Sequence, residues 1–434
     1  MKMYIALGLF AITYVLMLAF SKYRTYIALG SGLVFLLSGL LSLDLNLILT
    51  IDGENPTIDF NVLLMIAGSM GLIQLFIDSK MPDLLAEIII SKVKNVQMSA
   101  VALALFAGII SAFVDNVATV LMIAPVALQI CKKLNTNPVP FIIGISVSSN
   151  LQGAATLVGD TTAIMLGGVA EMSFLDFFWY EGKPSIFFAV ELGAVASAII
   201  LAFIFRKEKA PIPKQESLTK VTDYVPTILL VAMLGLLIGA SFINEKPAIT
   251  NGLICCVLFV IGLVYNVIKN KTKESWLGPI KAIDFETLGL LLGLFLMIGG
   301  IKQQGVIDAA ANLLEKLGGG NQFLLFTIIV WASVLISAFI DNIPYVATML
   351  PIIKGIGIAN PAISPTLLYF GLLSGATLGG NCTPIGASAN ITGTAILRKN
   401  GFEVKNRDFF RIGIPFTLAA VISSYIYLWV VYGM

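Results

Sequence analysis

The sequence predicts an all-α polytopic membrane protein built from two inverted-topology repeats. Each repeat holds five transmembrane helices and one re-entrant helical hairpin, with broken helices at the substrate site. Three observations predict this. First, the 434 residues are 58% hydrophobic and only 12% charged. A soluble domain carries about 25% charged residues, so this chain could not cover a surface in water, and a water-soluble enzyme is excluded. Second, apolar runs of the roughly 20 residues that cross a bilayer recur along the chain. Third, the second half repeats the first, with rare polar residues in register.

Taken in order, the apolar runs lie near 3–20, 25–48, 61–78, 138–168, 184–205, 224–243, 249–269, 285–301, 363–394 and 409–432. The first lacks an Ala-x-Ala site and ends in Ser21-Lys22-Tyr23-Arg24. That is the flank of a retained transmembrane helix rather than of a cleaved signal. Two more runs, 97–132 and 322–357, are interrupted by Asp115-Asn116 and Asp341-Asn342. About a dozen residues separate Asn116 from Lys132-Lys133, short for a full crossing. Each interrupted run therefore reads as a hairpin whose tip stops inside the membrane, where non-helical backbone survives only in protein or beside a watery cavity. Segments 81–94 and 306–317 read as interfacial amphipathic helices leading into the hairpins. The runs 138–168 and 363–394 contain Asn150-Leu-Gln-Gly-Ala-Ala-Thr-Leu-Val-Gly-Asp-Thr-Thr162 and Gly379-Gly-Asn-Cys-Thr-Pro-Ile-Gly-Ala-Ser-Ala-Asn390. Their glycines and Pro384 weaken helix, so both are expected to unwind there. The polar stretch 206–223 reads as a cytoplasmic linker between the first repeat, 1–205, and the second, 224–434.

The repeat is carried by rare residues. Ile110-Ser-Ala-Phe-Val-Asp-Asn-Val117 matches Ile336-Ser-Ala-Phe-Ile-Asp-Asn-Ile343, with Pro125 and Pro351 each ten residues after the aspartate. Upstream, Asp59, Phe60, Leu63, Gly68 and Asp83 match Asp284, Phe285, Leu288, Gly293 and Asp308. Downstream, Gly144, Leu151, Gly153, Thr156 and Gly159 match Gly371, Leu378, Gly380, Thr383 and Gly386. Five spans per half is an odd number, so the halves should lie upside down to each other, the plan of many secondary transporters. With both termini outside, 21 of the 27 basic residues fall on the inner side, as the positive-inside rule asks of a plasma (inner) membrane protein.

Charge inside the bilayer is costly and marks function. Asp115 and Asp341, with Asn116 and Asn342, supply oxygens for a small cation, and these four are the candidate Na+ ligands. Capping of the following helices by the two aspartates is expected as well. The unwound stretches add Asn150, Thr156, Asp160, Thr161, Asn381, Thr383, Ser388 and Asn390, and the first hairpin arm of the second half adds Ser337. Unwinding frees carbonyls for cations and N–H groups for anions. Asp160 has no acidic mate, since Ala387 stands at its repeat position. The chain has no histidine, its net charge is +2, and none of Cys131, Cys255, Cys256 and Cys382 forms a C-x-x-C pair. Imidazole metal sites, histidine catalysis and basic-patch nucleic-acid binding are thereby excluded. The expected partners are the lipid bilayer and a small ion, with Na+ or H+ as coupling ion and no cofactor.

At these residues the chain resembles a family. The two hairpin motifs, the first with Pro125 and the second extended by Pro344 and followed by Pro351, resemble those of the ion transporter superfamily, nearest its ArsB/NhaD permease branch and the melanosomal P protein. Val158-Gly-Asp-Thr-Thr162 is similar to the first broken helix of NhaD-type sodium/proton antiporters. The stretch Gly379 to Asn390 is similar to the second broken helix of the P-protein and arsenite-permease group. The resemblance implies a scaffold that often dimerises, a transport domain carrying hairpins and broken helices, and elevator-like movement. Related dicarboxylate carriers have Ser-Asn-Thr at the tips, where this chain has Asp-Asn. The expected function is sodium/proton-type antiport. The alternatives are Na+- or H+-coupled transport of a small anion or oxyanion such as a carboxylate or arsenite and, more remotely, an intramembrane aspartyl protease or a channel. The protease reading lacks the Gly-x-Gly-Asp of such enzymes, because Leu157 precedes Val158-Gly159-Asp160.

Overall fold

A computed structural model describes residues 1–42, 57–134, 136–211, 219–243 and 245–434. The end of the expected run 25–48 and the middle of the linker 206–223 lie outside the described residues. The described chain is almost wholly helical. The first half contains α1 (Lys2–Ala19), α2 (Arg24–Leu37), α3 (Phe60–Asp78), α4 (Met81–Ser91), α5 (Val96–Ser111), α6 (Asn116–Leu134), α7 (Val139–Gly153), α8 (Thr161–Val169) and α9 (Ile186–Ile204). The second contains α10 (Val225–Ala240), α11 (Thr250–Asn270), α12 (Lys273–Lys281), α13 (Phe285–Gln303), α14 (Val306–Gly318), α15 (Gln322–Ser337), α16 (Asn342–Ala359), α17 (Pro365–Gly379), α18 (Ser388–Lys399) and α19 (Asn406–Leu428). A two-residue ribbon, β1 (Trp179–Tyr180) paired antiparallel with β2 (Lys183–Pro184), sits in the turn before α9. Hydropathy gave no sign of it.

Among the described residues, eight helices are long and apolar enough to cross a membrane, α6 and α16 among them. The chain is a multi-pass membrane protein. Two expected boundaries need correction. The second arm of the first hairpin is not short: α6 runs on through Lys132-Lys133 for 19 residues, because long lysine stems can follow a helix while their ammonium groups reach water. The run from residue 25 stops being helical at Leu37. Gly39, at φ +67°, takes the left-handed turn that ends it, and the N–H groups of Leu40 and Leu41 donate to the carbonyl of Phe35. This is a glycine-terminated helix end that an apolar count cannot register.

The repeat in sequence is a repeat of contacts. Asp59 caps α3 by accepting from the Val62 N–H at 3.0 Å, and Asp284 caps α13 by accepting from that of Thr287 at 2.9 Å. Asn95 caps α5 through Met98, and Asn321 caps α15 through Leu324. Lys80 and Gly305, before α4 and α14, share a left-handed backbone. A Cβ on Gly68 of α3 would lie 2.5 Å from the backbone of Cys255 and Cys256, and one on Gly293 of α13 would lie 2.4 Å from that of Ala28. The matched glycines thus let α3 close on α11 and α13 close on α2, backbone to backbone.

Phe141, Phe370, Phe409 and Phe416 fill the interior. Outward-facing Ile12, Val15, Ile199, Phe203, Val231 and Val260 are exposed, which lipid accepts and water would not. The start of the linker pairs with the head of α5, where Val96 and Gln97 N–H groups donate to the carbonyls of Ala210 and Glu208. Its end is held by buried Glu87 of α4, which accepts from the N–H of Thr219 at 2.6 Å and from its hydroxyl at 2.9 Å.

Candidate functional site

Four interruptions meet in the interior. In the first half, α5 gives way to α6 across residues 112–115, and α7 to α8 across 154–160. The second half repeats this between α15 and α16 and between α17 and α18. Each unwound segment is locked to its neighbouring break by the same bond: the Thr156 hydroxyl donates to the Ala112 carbonyl, and that of Thr383 to the Ala338 carbonyl. These two threonines, expected as ligands, clamp the breaks together and are not among the residues that line the cavity between them. Gly159 and Gly386 lie against backbone oxygens of the same pairs of elements. Ser337 likewise donates to the Ala376 carbonyl and lies off the cavity.

Buried asparagines join the halves. Asn116 donates to the Asn150 side-chain oxygen at 3.1 Å. Asn150 donates to the Thr377 carbonyl at 2.7 Å and to the Asn381 side-chain oxygen at 3.1 Å. Asn381 donates back to the Val147 carbonyl at 2.8 Å, and Asn390 donates to the carbonyls of Gly380 and Thr383. Asn381 and Asn390 are therefore a second layer behind the cavity wall. The Asn390 side-chain oxygen is buried without a partner among the described residues.

In front of this layer lies a cavity of about 390 Å³. From the expected set it is lined by Asp115, Asn116, Asn150, Asp160, Thr161, Asn342 and Ser388. Asp115 accepts from the N–H groups of Val117 and Ala118, so it caps α6 as expected while reaching the cavity. Asp160 caps α8 and accepts the Thr162 hydroxyl at 2.7 Å. The nine residues of α8, at 1.5 Å each, put Asp160 about 13 Å from the helix end, where Gly168 meets Asp59. Asp160 itself is buried. A smaller void beside Asp115 and Asp160 is walled by Ser69 and Val158.

Three polar lining residues lie outside the expected set: Gln74 of α3, and Asp284 and Thr287 at the head of α13. In the sequence Asp284 stands out only as the repeat mate of Asp59, with no hint of a cavity. Asp341 departs from expectation. It caps α16 through the Ile343 N–H at 3.0 Å, and its other oxygen forms an ion pair with Arg24 of α2, so it does not line the cavity. In the sequence Arg24 reads only as a flanking positive charge. Among the described residues, no group of three or more Asp, Glu or Cys side chains is arranged to hold a metal ion.

The comparisons with known proteins agree with this architecture. The citrate transporter family, CitMHS, matches residues 14–375 and 280–434. The chain belongs to that family. It is 35% identical over 325 residues to the 46 kDa membrane protein of Mycobacterium leprae, covering 74% of each chain. It is 29% identical to the transporter Rv2684 of Mycobacterium tuberculosis, over 99% of this chain and 98% of that one. P protein of Sus scrofa is 26% identical over 88% of this chain and 55% of its own length. Among solved structures, the YdaH transporter of Alcanivorax borkumensis superposes with a TM-score of 0.59 at 13% identity, covering 86% of this chain and 85% of that one. MtrF of Neisseria gonorrhoeae gives 0.52 at 16% identity, over 85% and 80%. These two share the fold. The CitMHS chain is a membrane transporter and not an enzyme.

Proposed function

We propose that this transporter exchanges a small cation of the Na+ class for protons by alternating access, with the interrupted helices moving as one elevator-like body. One observation carries the reading: among the described residues, the cavity wall bears Asp115, Asp160 and Asp284 and no lysine or arginine. Three carboxylates around one cavity attract positive charge, and neutral oxygens of Asn116, Asn150, Asn342, Thr161 and Ser388 complete a shell of hard ligands suited to such an ion. Asp115 and Asp160 would release a proton as the cation enters and regain it on return. The halves are inverted repeats in this reading, with the termini outside and the linker 206–223 cytoplasmic. The cavity, rimmed by Gln74 and Ala282, then opens to the cytoplasm of a plasma-membrane homodimer.

Proteoliposomes holding a pH gradient test it. Added Na+ or Li+ is expected to dissipate the gradient with wild-type protein and not with Asp115→Asn or Asp160→Asn. No dissipation between about pH 6 and 9, a range spanning neutrality, would sink the proposal.

A second reading, cation-coupled transport of a carboxylate of the citrate class or of an oxyanion such as arsenite, has its own support. The matched family is named for citrate, and the cavity is large for a bare ion. The head of α18, beside lining residue Ser388, has Ala387 at its cap position and no capping side chain, a setting that favours negative charge. Uptake of labelled citrate into the same vesicles, driven by Na+ or by a proton gradient, decides between the two.

A further inference from the structure

The hairpin-tip aspartates are equivalent in sequence and unequal in surroundings. Asp341 is paired with the guanidinium of Arg24, whose side chain is 28% exposed beside an 18% exposed carboxylate. Asp284 and Glu286 are Arg24's other charged neighbours. The repeat gives Asp115 no such partner. Gly293 against Ala28 and Leu29, and Gly68 against Cys255 and Cys256, fix the register between α2 and α11. In that register Asn251 stands at the position of Arg24. Asn251 carries no charge, and among the described residues Asp115 takes part in no ion pair. Helix α16 is held to the first helices at a second point as well, where the Tyr14 hydroxyl meets the Pro344 carbonyl at 2.6 Å and the Thr348 hydroxyl.

From this we infer that Arg24 is a built-in counter-cation: it fills the place at Asp341 that a transported cation takes at Asp115, and so confines ion coupling to the first-half tip. A guanidinium is permanently charged and matches a carboxylate with a rigid fork. It is tethered to α2, so it occupies Asp341 at an effective concentration that free Na+ does not reach. Arg24 thereby sets how many cations bind without lining the cavity. The inference rests on the cation reading above, but its test does not stand or fall with it.

The test is thermal unfolding of purified protein in detergent, titrated with Na+, Li+ and K+ at several pH values, for wild type, Arg24→Gln, Arg24→Lys and Arg24→Gln/Asp341→Asn. An ion that binds only the folded state raises stability with the logarithm of its concentration, and a second site about doubles that slope. Arg24→Gln is expected to gain the steeper Na+ dependence. Arg24→Lys should keep the wild-type slope, and the double variant should return to it. If wild type shows no cation response while Arg24→Gln acquires one that Asp341→Asn removes, the antiport reading falls, and Arg24 as the occupant of a cation's place at Asp341 stands without it. If wild type responds and Arg24→Gln matches it at every pH, the inference is overturned and antiport survives. Should Arg24→Gln fail to fold, the comparison moves to Arg24→Lys and the charge-neutral double variant. Equal slopes there are then required, and a steeper slope in either overturns the inference.

Discussion

Replacing Gly159 by alanine strikes the junction on which the site depends. A Cβ at this position would lie 2.5 Å from the Gly153 carbonyl oxygen and 2.8 Å from those of Ala112 and Ser111. All three are backbone atoms, at the end of α5, in the break after it and at the end of α7, so no side chain can swing aside. Overpacking a core costs typically about 1–3 kcal/mol. Three contacts under 3.0 Å against backbone place this change at the upper end, about 3 kcal/mol. The repeat supplies an internal replicate: a Cβ on Gly386 would meet the oxygens of Gly380, Ser337 and Ala338 at 2.6, 2.8 and 2.9 Å, so Gly386→Ala should cost a similar amount. The control is Gly235→Ala in α10, where nothing lies within 4 Å and an interior helical alanine gains about 0.5–1 kcal/mol. Apparent melting of purified protein, followed by intrinsic fluorescence, should fall for both junction variants and rise slightly for the control. If Gly159→Ala melts within about a degree of the control, a difference below the size of a 1 kcal/mol effect, the backbone contact is not what holds these elements together.

Two further outcomes follow from the hydrogen bonds. Asn150→Ala leaves the Asn116 amide and the Thr377 carbonyl short of a buried partner, while the Asn381 oxygen keeps the Asn390 amide; at about 1–3 kcal/mol per unsatisfied group, a loss of at least about 2 kcal/mol is expected in denaturant unfolding. Outside the membrane, burial pushes the Asp223 carboxyl upward, but Lys269 at 2.8 Å, the Val225 N–H at 2.9 Å and the Tyr265 hydroxyl together hold it below the usual carboxylate range. Because its folded value is depressed, its stabilisation is complete above the unfolded value of about 3.9 and is lost as pH falls through the folded one. Asp223→Asn should therefore lower the melting temperature at neutral pH, with the difference from wild type vanishing in acid.

The breaks in the helices were legible because aspartate, asparagine, glycine and proline stand out against apolar sequence. Both unwound stretches and both interrupted runs appear where Asp115-Asn116, Asp341-Asn342 and the glycine-rich motifs stand. The roles within them were less legible. Thr156 and Thr383 are hydroxyls in a motif, and nothing in a sequence separates a hydroxyl that binds an ion from one that clamps a carbonyl 44 or 45 residues away. Arg24 follows an apolar run as any flanking positive charge does, yet its partner lies 317 positions along the chain. Asp284 shows the converse. Its capping role could be read from the apolar run that follows, while its place on the cavity wall depends on how α13 packs beside α3.

A two-fold repeat by itself offers two like environments, and this chain departs from that at three positions near the site. Asp160 has Ala387 as its mate, Arg24 has Asn251, and Tyr14, which fastens α16, comes from the first half alone. The shared residues are the structural ones: capping Asp59 and Asp284, clamping Thr156 and Thr383, and the glycines at close backbone approaches. Matched structural residues keep the two halves geometrically alike, which the proposed alternation between two conformations would use. Unmatched charges keep them chemically distinct, so that one cavity can hold negative potential while Arg24 neutralises the tip of the other half. If Asp341 were as open as Asp115, two carboxylates would compete for the same small ions. In the antiport proposed above, the exchange ratio would then depend on conditions rather than on the protein.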